Sequence, residues 1–220
     1  MPGVRDAVRF EFLAAVLLLA GCGKHAPHGD ETAAFERIGP VVESVRRASF
    51  LQLQTADIHI FHLHSDSDFL QARFTVTSFF ARKLQYMIFF NPEAFRRQAP
   101  SEGLRAIVAH ELAHIAYYES QSRMGMLSLI GLLVPAYTTR FERKADLDAV
   151  ALGYGRGLEV YRVWLYRNIP AGRIKEKKRD YYTPEEIEAL LQATAKDHGN
   201  MSRFMRCVPK NLNEIAACAE

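Results

Sequence analysis

Three cysteines in 220 residues are too few for a disulfide scaffold. Neither sign of charge dominates, since 28 basic and 25 acidic residues leave a net charge of +3. No charge field therefore marks nucleic acid as the main ligand. No apolar run approaches the roughly 20 residues needed to cross a bilayer. Internal repeats, low-complexity tracts and long linkers are missing as well. These absences exclude a disordered chain, a collagen-like repeat and a polytopic membrane protein. What remains, 49% apolar and 24% charged, is ordinary composition for one well-filled domain.

The N-terminus carries a short apolar run, Phe12 to Ala20, ending in Leu19-Ala20-Gly21-Cys22. Its length suits a signal-peptide core of roughly 7–15 residues. Small residues before a cysteine resemble the bacterial lipobox, in which that cysteine is lipidated and becomes the mature N-terminus. The expectation is a lipoprotein signal peptide over 1–22, a tether over 23–30 and a single domain over 31–220. His25 and His28 fall in that breaker-rich tether and are read as solvated. Gly23 is not the aspartate that retains enterobacterial lipoproteins in the inner membrane. A periplasm-facing protein of the bacterial cell envelope is expected, with the outer membrane favoured. Export would leave Cys207 and Cys218 as an even pair in an oxidising compartment, where they form a bridge or remain two thiols of a helical tail.

Past the tether, Phe35, Ile38, Val41, Val42 and Val45 have helical spacing interrupted by Gly39-Pro40. Strand patterns cover Asp57–His64, Phe74–Thr77 and Leu84–Phe90, the last ended by Asn91-Pro92. From Ser101 onward the pattern is helical. Strands first and helices after predict an α+β fold, mainly helical, with a small sheet. His59, His62 and His64 lie near Asp66 and Asp68, but no spacing fixes a third ligand, and they read as a polar strand face running into a turn. Met124–Tyr137 is the most apolar internal stretch, either core or a flap that touches membrane or substrate.

His110-Glu111-Leu112-Ala113-His114 matches H-E-x-x-H. Eight histidines and sixteen glutamates make about 0.02 chance occurrences expected in a chain of this length. The surrounding run from Ser101 to Ser120 has no proline, and Leu104, Ile107, Val108, Leu112 and Ile115 form one apolar stripe. On such a helix His110 and His114 lie one turn apart and can reach one ion. Glu111 falls beside the apolar stripe, where an unpaired carboxylate is costly unless it has a cation or a proton to handle. Downstream, Glu142 and Asp146 share a helix face. Ala145 and Ala149 allow close approach, and Gly153 and Gly155 read as a helix stop. Glu142 can be a third ligand, and Asp146 can accept the second N–H of a ligating histidine.

With these residues the chain resembles the gluzincin proteases, most closely the CAAX prenyl protease and HtpX-type zinc endopeptidases, over about residues 57 to 190. The resemblance rests on Met87-Ile-Phe-Phe-Asn91-Pro92, H-E-x-x-H and Arg140-Phe-Glu142-Arg-Lys-Ala-Asp146. It implies a minimal zincin-like domain with the sheet beside the H-E-x-x-H helix. One Zn²⁺ per chain would be held by His110, His114 and Glu142, with Glu111 as the base. It also implies that the strand before that helix pairs with an extended protein or peptide substrate. The expected activity is cleavage of periplasmic or envelope proteins, in quality control for example. The competing reading is a zinc-containing binding or assembly-chaperone lipoprotein with little turnover.

One departure stands out. Family members often carry Thr-His-Pro after the second motif, whereas Tyr181-Tyr182-Thr183-Pro184-Glu185-Glu186 occupies the counterpart here. Thr183, Pro184 and Glu186 suit a helix capping box, and Tyr181, Tyr182 or Tyr154 could serve the oxyanion instead. His198, the last histidine, is read as solvated near a Gly-Asn helix stop. Arg173–Arg179 reads as a solvated basic loop, with anionic lipid or acidic substrate as the alternative.

Overall fold

The computed structural model describes residues 29–75, 78, 83–122 and 135–220. Cys22 and residues 23–28 of the tether lie outside them, as do residues 124–134 of the apolar stretch. The described part is mostly helical with one three-stranded sheet, an α+β arrangement. None of its helices is long and apolar enough to cross a membrane.

The first helix, α1 (Gly29–Ser49), starts two residues before the expected start of the domain at 31 and runs unbroken through Gly39-Pro40. Proline removes an N–H and crowds the carbonyl one turn back. Burial of Ile38, Val42 and Val45, each 5% exposed or less, holds the helix through that defect.

Three strands follow: β1 (Asp57–His62), β2 (Leu70–Phe74) and β3 (Gln85–Phe90). The order is β1-β3-β2, with β1 parallel and β2 antiparallel to β3. The second strand thus begins earlier than the Phe74–Thr77 pattern predicts, because Leu70, Ala72 and Phe74 supply the alternating inward face. Val76 and Thr77 lie outside the described residues. Since β3 is central, it has no free edge. The expectation that the strand before the H-E-x-x-H helix receives a substrate is therefore corrected, and the edge strand against that helix is β2.

The H-E-x-x-H helix is α2 (Ser101–Ser120). Every member of its predicted apolar stripe is at most 4% exposed. It lies against β2 and α1, and its stripe shares one core with the inward-facing Tyr86, Ile88 and Phe90 of β3. Its other flank meets α3 (Pro135–Ala149) and α4 (Gly155–Asn168). A Cβ at Gly157 would come within 2.5 Å of the Glu102 carbonyl oxygen, so α2 and α4 approach too closely for any side chain there.

Between α3 and α4 the chain does not stop. It turns through a wide π-type segment, Val150–Tyr154, with Gly153 at φ +89° absorbing the change of direction. Helices α5 (Ala171–Asp180), α6 (Pro184–Lys196), α7 (Gly199–Cys207) and α8 (Leu212–Ala219) complete the fold. The expected basic loop is therefore helix α5. Within it Arg173 pairs with Glu176, Lys177 with Asp68 and Arg179 with Asp180, while Lys178 sits over the Tyr166 ring. Gly199-Asn200 opens α7 rather than ending a helix. Cys207 in α7 and Cys218 in α8 are joined by a disulfide.

Candidate metal centre

Helical spacing brings His110 and His114 to one side of α2, and α3 delivers Glu142 to the same point. His110 Nε2, His114 Nε2 and Glu142 Oε2 lie 3.1–3.2 Å from one another. Both imidazoles are buried, and Glu142 is only partly accessible. Two ring nitrogens and a carboxylate oxygen are all acceptors in their basic forms, so their convergence requires a cation or a proton between them. Ligands at roughly 2.0–2.1 Å from a tetrahedral ion stand roughly 3.3–3.4 Å apart, close to what is found. The group can hold a metal ion, and three protein ligands leave a fourth position for another molecule.

Asp146, fully buried one turn after Glu142, fixes the tautomer. His110 Nδ1–H donates to its Oδ1 at 2.7 Å, leaving the Nε2 lone pair for the centre. Arg162 Nη2 donates to the same Oδ1 at 2.8 Å, and the Tyr182 backbone N–H donates to Oδ2 at 3.0 Å. Burial works against the Asp146 carboxylate, but the Arg162 and His110 charges outweigh it and lower its pKa. Burial likewise opposes an imidazolium at His110, but Asp146 and then Glu142 outweigh it and push its pKa up to about 10. Glu142 would also be raised by burial, yet the neighbouring histidines hold it well below the usual range.

Glu111 is 6% exposed and ligates nothing in this arrangement. Its Oε2 accepts the Ala72 backbone N–H at 2.6 Å. Ala72 sits on edge strand β2, so an N–H pointing away from β3 orients the carboxylate. Burial raises the Glu111 pKa first, with Glu142 adding to it, against the lowering effect of His110 and His114. A carboxyl whose affinity for protons is raised beside a metal-binding group is suited to accept and return one.

Sequence reasoning missed two of these parts. Arg162 carried a signal, because Leu158, Tyr161 and Leu165 mark the buried face of α4 and Arg162 falls on it. Ala72 contributes only its backbone, which no side-chain pattern announces.

The remaining candidates separate clearly. Tyr181 lies with its ring centroid 5.7 Å from that of His110. The Tyr154 hydroxyl is 2.9 Å from Ser49 Oγ, and Tyr182 is buried in the α3–α8 core. Thr183 and Glu186 form the capping box of α6, with Pro184 in its first turn. His62 and His64 stand with ring centroids 3.9 Å apart, while His59 points to the other face and pairs with Asp57 at 2.8 Å. Asp68 binds Ser65, Ser67 and Lys177. The polar-strand reading describes this cluster, and among the described residues it contributes no three-ligand group.

A cleft of about 180 Å³ opens beside His114, walled by Tyr117, Tyr137 and Phe141 with Arg140 and Lys144 at its rim. Phe141 stacks on the His114 ring at 4.5 Å.

Comparisons with known proteins return nothing for this chain: no family model, no curated protein and no solved structure matches.

Proposed function

We propose that the chain is a zinc-dependent endopeptidase of gluzincin type, anchored to the bacterial cell envelope through lipid on Cys22 and acting on periplasmic or envelope proteins. The observation that carries the reading is the position of Glu111. A metal held only for stability needs no oriented, unligated carboxylate beside it, whereas a hydrolytic centre does.

His110, His114 and Glu142 would hold the ion. When bound, zinc would supply Lewis acidity, polarising a peptide carbonyl and acidifying water. Asp146, with Arg162 behind it, keeps the His110 Nε2 lone pair aimed at the centre. Glu111, steadied through Oε2 by Ala72, takes the proton of the attacking water and returns it to the departing amine. Edge strand β2 offers backbone groups for an extended polypeptide, and the cleft beside His114 offers room for an apolar side chain. The Cys207–Cys218 disulfide favours an oxidising compartment.

The test is hydrolysis of an unfolded protein by purified, zinc-loaded chain, with and without chelator. Cleavage that stops on chelation and returns with zinc supports the proposal. Stable zinc binding with no cleavage of unfolded or envelope-derived substrates would favour a binding or chaperone role. Incorporation of radiolabelled palmitate that disappears in Cys22→Ser tests the anchor.

A further inference from the structure

Strands β1 and β3 run parallel with His62 opposite Phe90, so the chain leaves both at the same end of the sheet. Leu63, His64 and Ser65 follow β1, and Asn91 and Pro92 follow β3. A pocket of about 240 Å³ opens between these exits, lined by His62, His64, Ser65, Asn91, Glu93 and Arg96. The crevice outside the carboxyl ends of parallel strands is where open α/β sheets take their ligands. It shares no residue with the His110–His114–Glu142 group.

Buried Asn91 fixes one wall. Its Nδ2 donates to the Ser65 carbonyl at 2.7 Å and the Asp68 carbonyl at 3.3 Å, and its Oδ1 accepts the Glu93 N–H at 3.0 Å. Alternation along the chain puts His62 and His64 on one face, and their ring centroids are 3.9 Å apart. The Phe35 ring meets that of His62 edge-on at 6.1 Å and restrains its plane. His64 is exposed, so core packing does not force it against His62. Two nitrogens bound to one ion at roughly 2.0–2.1 Å stand at most about 4.2 Å apart, a spacing within reach of these rings. Glu93, the carboxylate lining the same pocket, is engaged by Arg96 and Arg97. Two imidazoles, with water completing the shell, are thus the ligand set.

We propose that His62 and His64 chelate a divalent late transition metal, Cu²⁺ in preference to Zn²⁺, at a second site separate from the centre between α2 and α3. Two adjacent nitrogens plus water match the tetragonal N,O coordination of Cu²⁺. A pair of ligands on a strand end imposes no geometry of its own, so the intrinsic order of affinities holds, in which Cu²⁺ exceeds Zn²⁺. The three converging ligands of the other centre instead suit a tetrahedral ion. Such a site needs no hydrolytic activity elsewhere in the chain.

The experiment is calorimetric titration with Cu²⁺ and with Zn²⁺, together with electron paramagnetic resonance of the Cu²⁺ form. The parent is the full chain carrying His25→Ala, His28→Ala and His114→Ala, which removes the tether histidines and one ligand of the other centre. The expected result is a Cu²⁺ ion whose spectrum shows two imidazole nitrogens, bound more tightly than Zn²⁺. Adding His64→Ala removes a tethered second ligand, an effective-concentration gain of about 10²–10⁴, so Cu²⁺ affinity should fall at least about 100-fold and one nitrogen should vanish from the spectrum. Because His64 is exposed, the thermal midpoint of the ion-free chain should stay at the parent value. Cu²⁺ affinity within twofold of the parent after His64→Ala, a parent spectrum without two nitrogens, or a parent that prefers Zn²⁺ overturns the proposal.

Discussion

Arg162 Nη2 lies 2.8 Å from Asp146 Oδ1, the same oxygen that accepts His110 Nδ1–H at 2.7 Å. Both Arg162 and Asp146 are essentially inaccessible to water, at 2% and 0% exposure. Arg162, 16 residues after Asp146, thus braces the carboxylate that orients the His110 ring.

Asp146→Asn should therefore weaken metal binding by about 10- to 100-fold, the usual effect of losing the group that orients a histidine ligand. Competition against a chromophoric chelator measures it. Arg162→Met retains most of the buried bulk but removes the cation opposite Asp146, which should cost roughly 3–5 kcal/mol in denaturant unfolding. Wild-type values in both variants would mean that the network does not hold the centre.

Metal loading should release protons. His110 carries a raised pKa of about 10 in the absence of an ion, so at neutral pH an incoming cation displaces its proton. About one proton should leave per ion bound, and affinity should rise about tenfold per pH unit below that pKa. Calorimetry in two buffers of different ionisation enthalpy gives the count. No proton release at pH 7 would contradict the protonated state of the ion-free site.

The loop feeding edge strand β2 is pinned by Asp68, which pairs with Lys177 of α5, and by Asn91 Nδ2, which donates to the Ser65 carbonyl at 2.7 Å. Burial raises the Asp68 pKa, but Lys177, Ser67 and Ser65 more than offset it and the net shift is downward from 3.8. A depressed carboxylate pKa stabilises the fold above the unfolded value and loses that effect as pH falls through the folded one. Asp68→Asn should thus melt below wild type at pH 7, and the gap should close as pH drops below 3.8. A gap that does not change with pH would assign the effect to packing.

His110, His114, Glu142 and Asp146 were legible in the sequence because each pair is four residues apart on a helix, and one helical turn fixes which side chains meet. The inward stripe of α2 was legible for the same reason. The continuity of α1 was not, because Pro40 argues locally for a break and only the buried Ile38, Val42 and Val45 argue against it. Nor was the start of β2 at Leu70, where Ala72 hides the alternation. The central place of β3 depends on pairing with β1 and β2, a long-range property that no single segment encodes.

On the proposed reading Glu111 moves protons at a metal centre it does not help to form. The most direct measurement is peptide hydrolysis by Glu111→Gln against wild type at equal, verified zinc content. Glutamine keeps the shape and the carbonyl oxygen that accepts the Ala72 N–H, so fold and metal should survive. Full zinc occupancy with a rate lower by about 10²–10⁴ is the expected outcome, and equal hydrolysis by the two proteins would overturn the role proposed for Glu111.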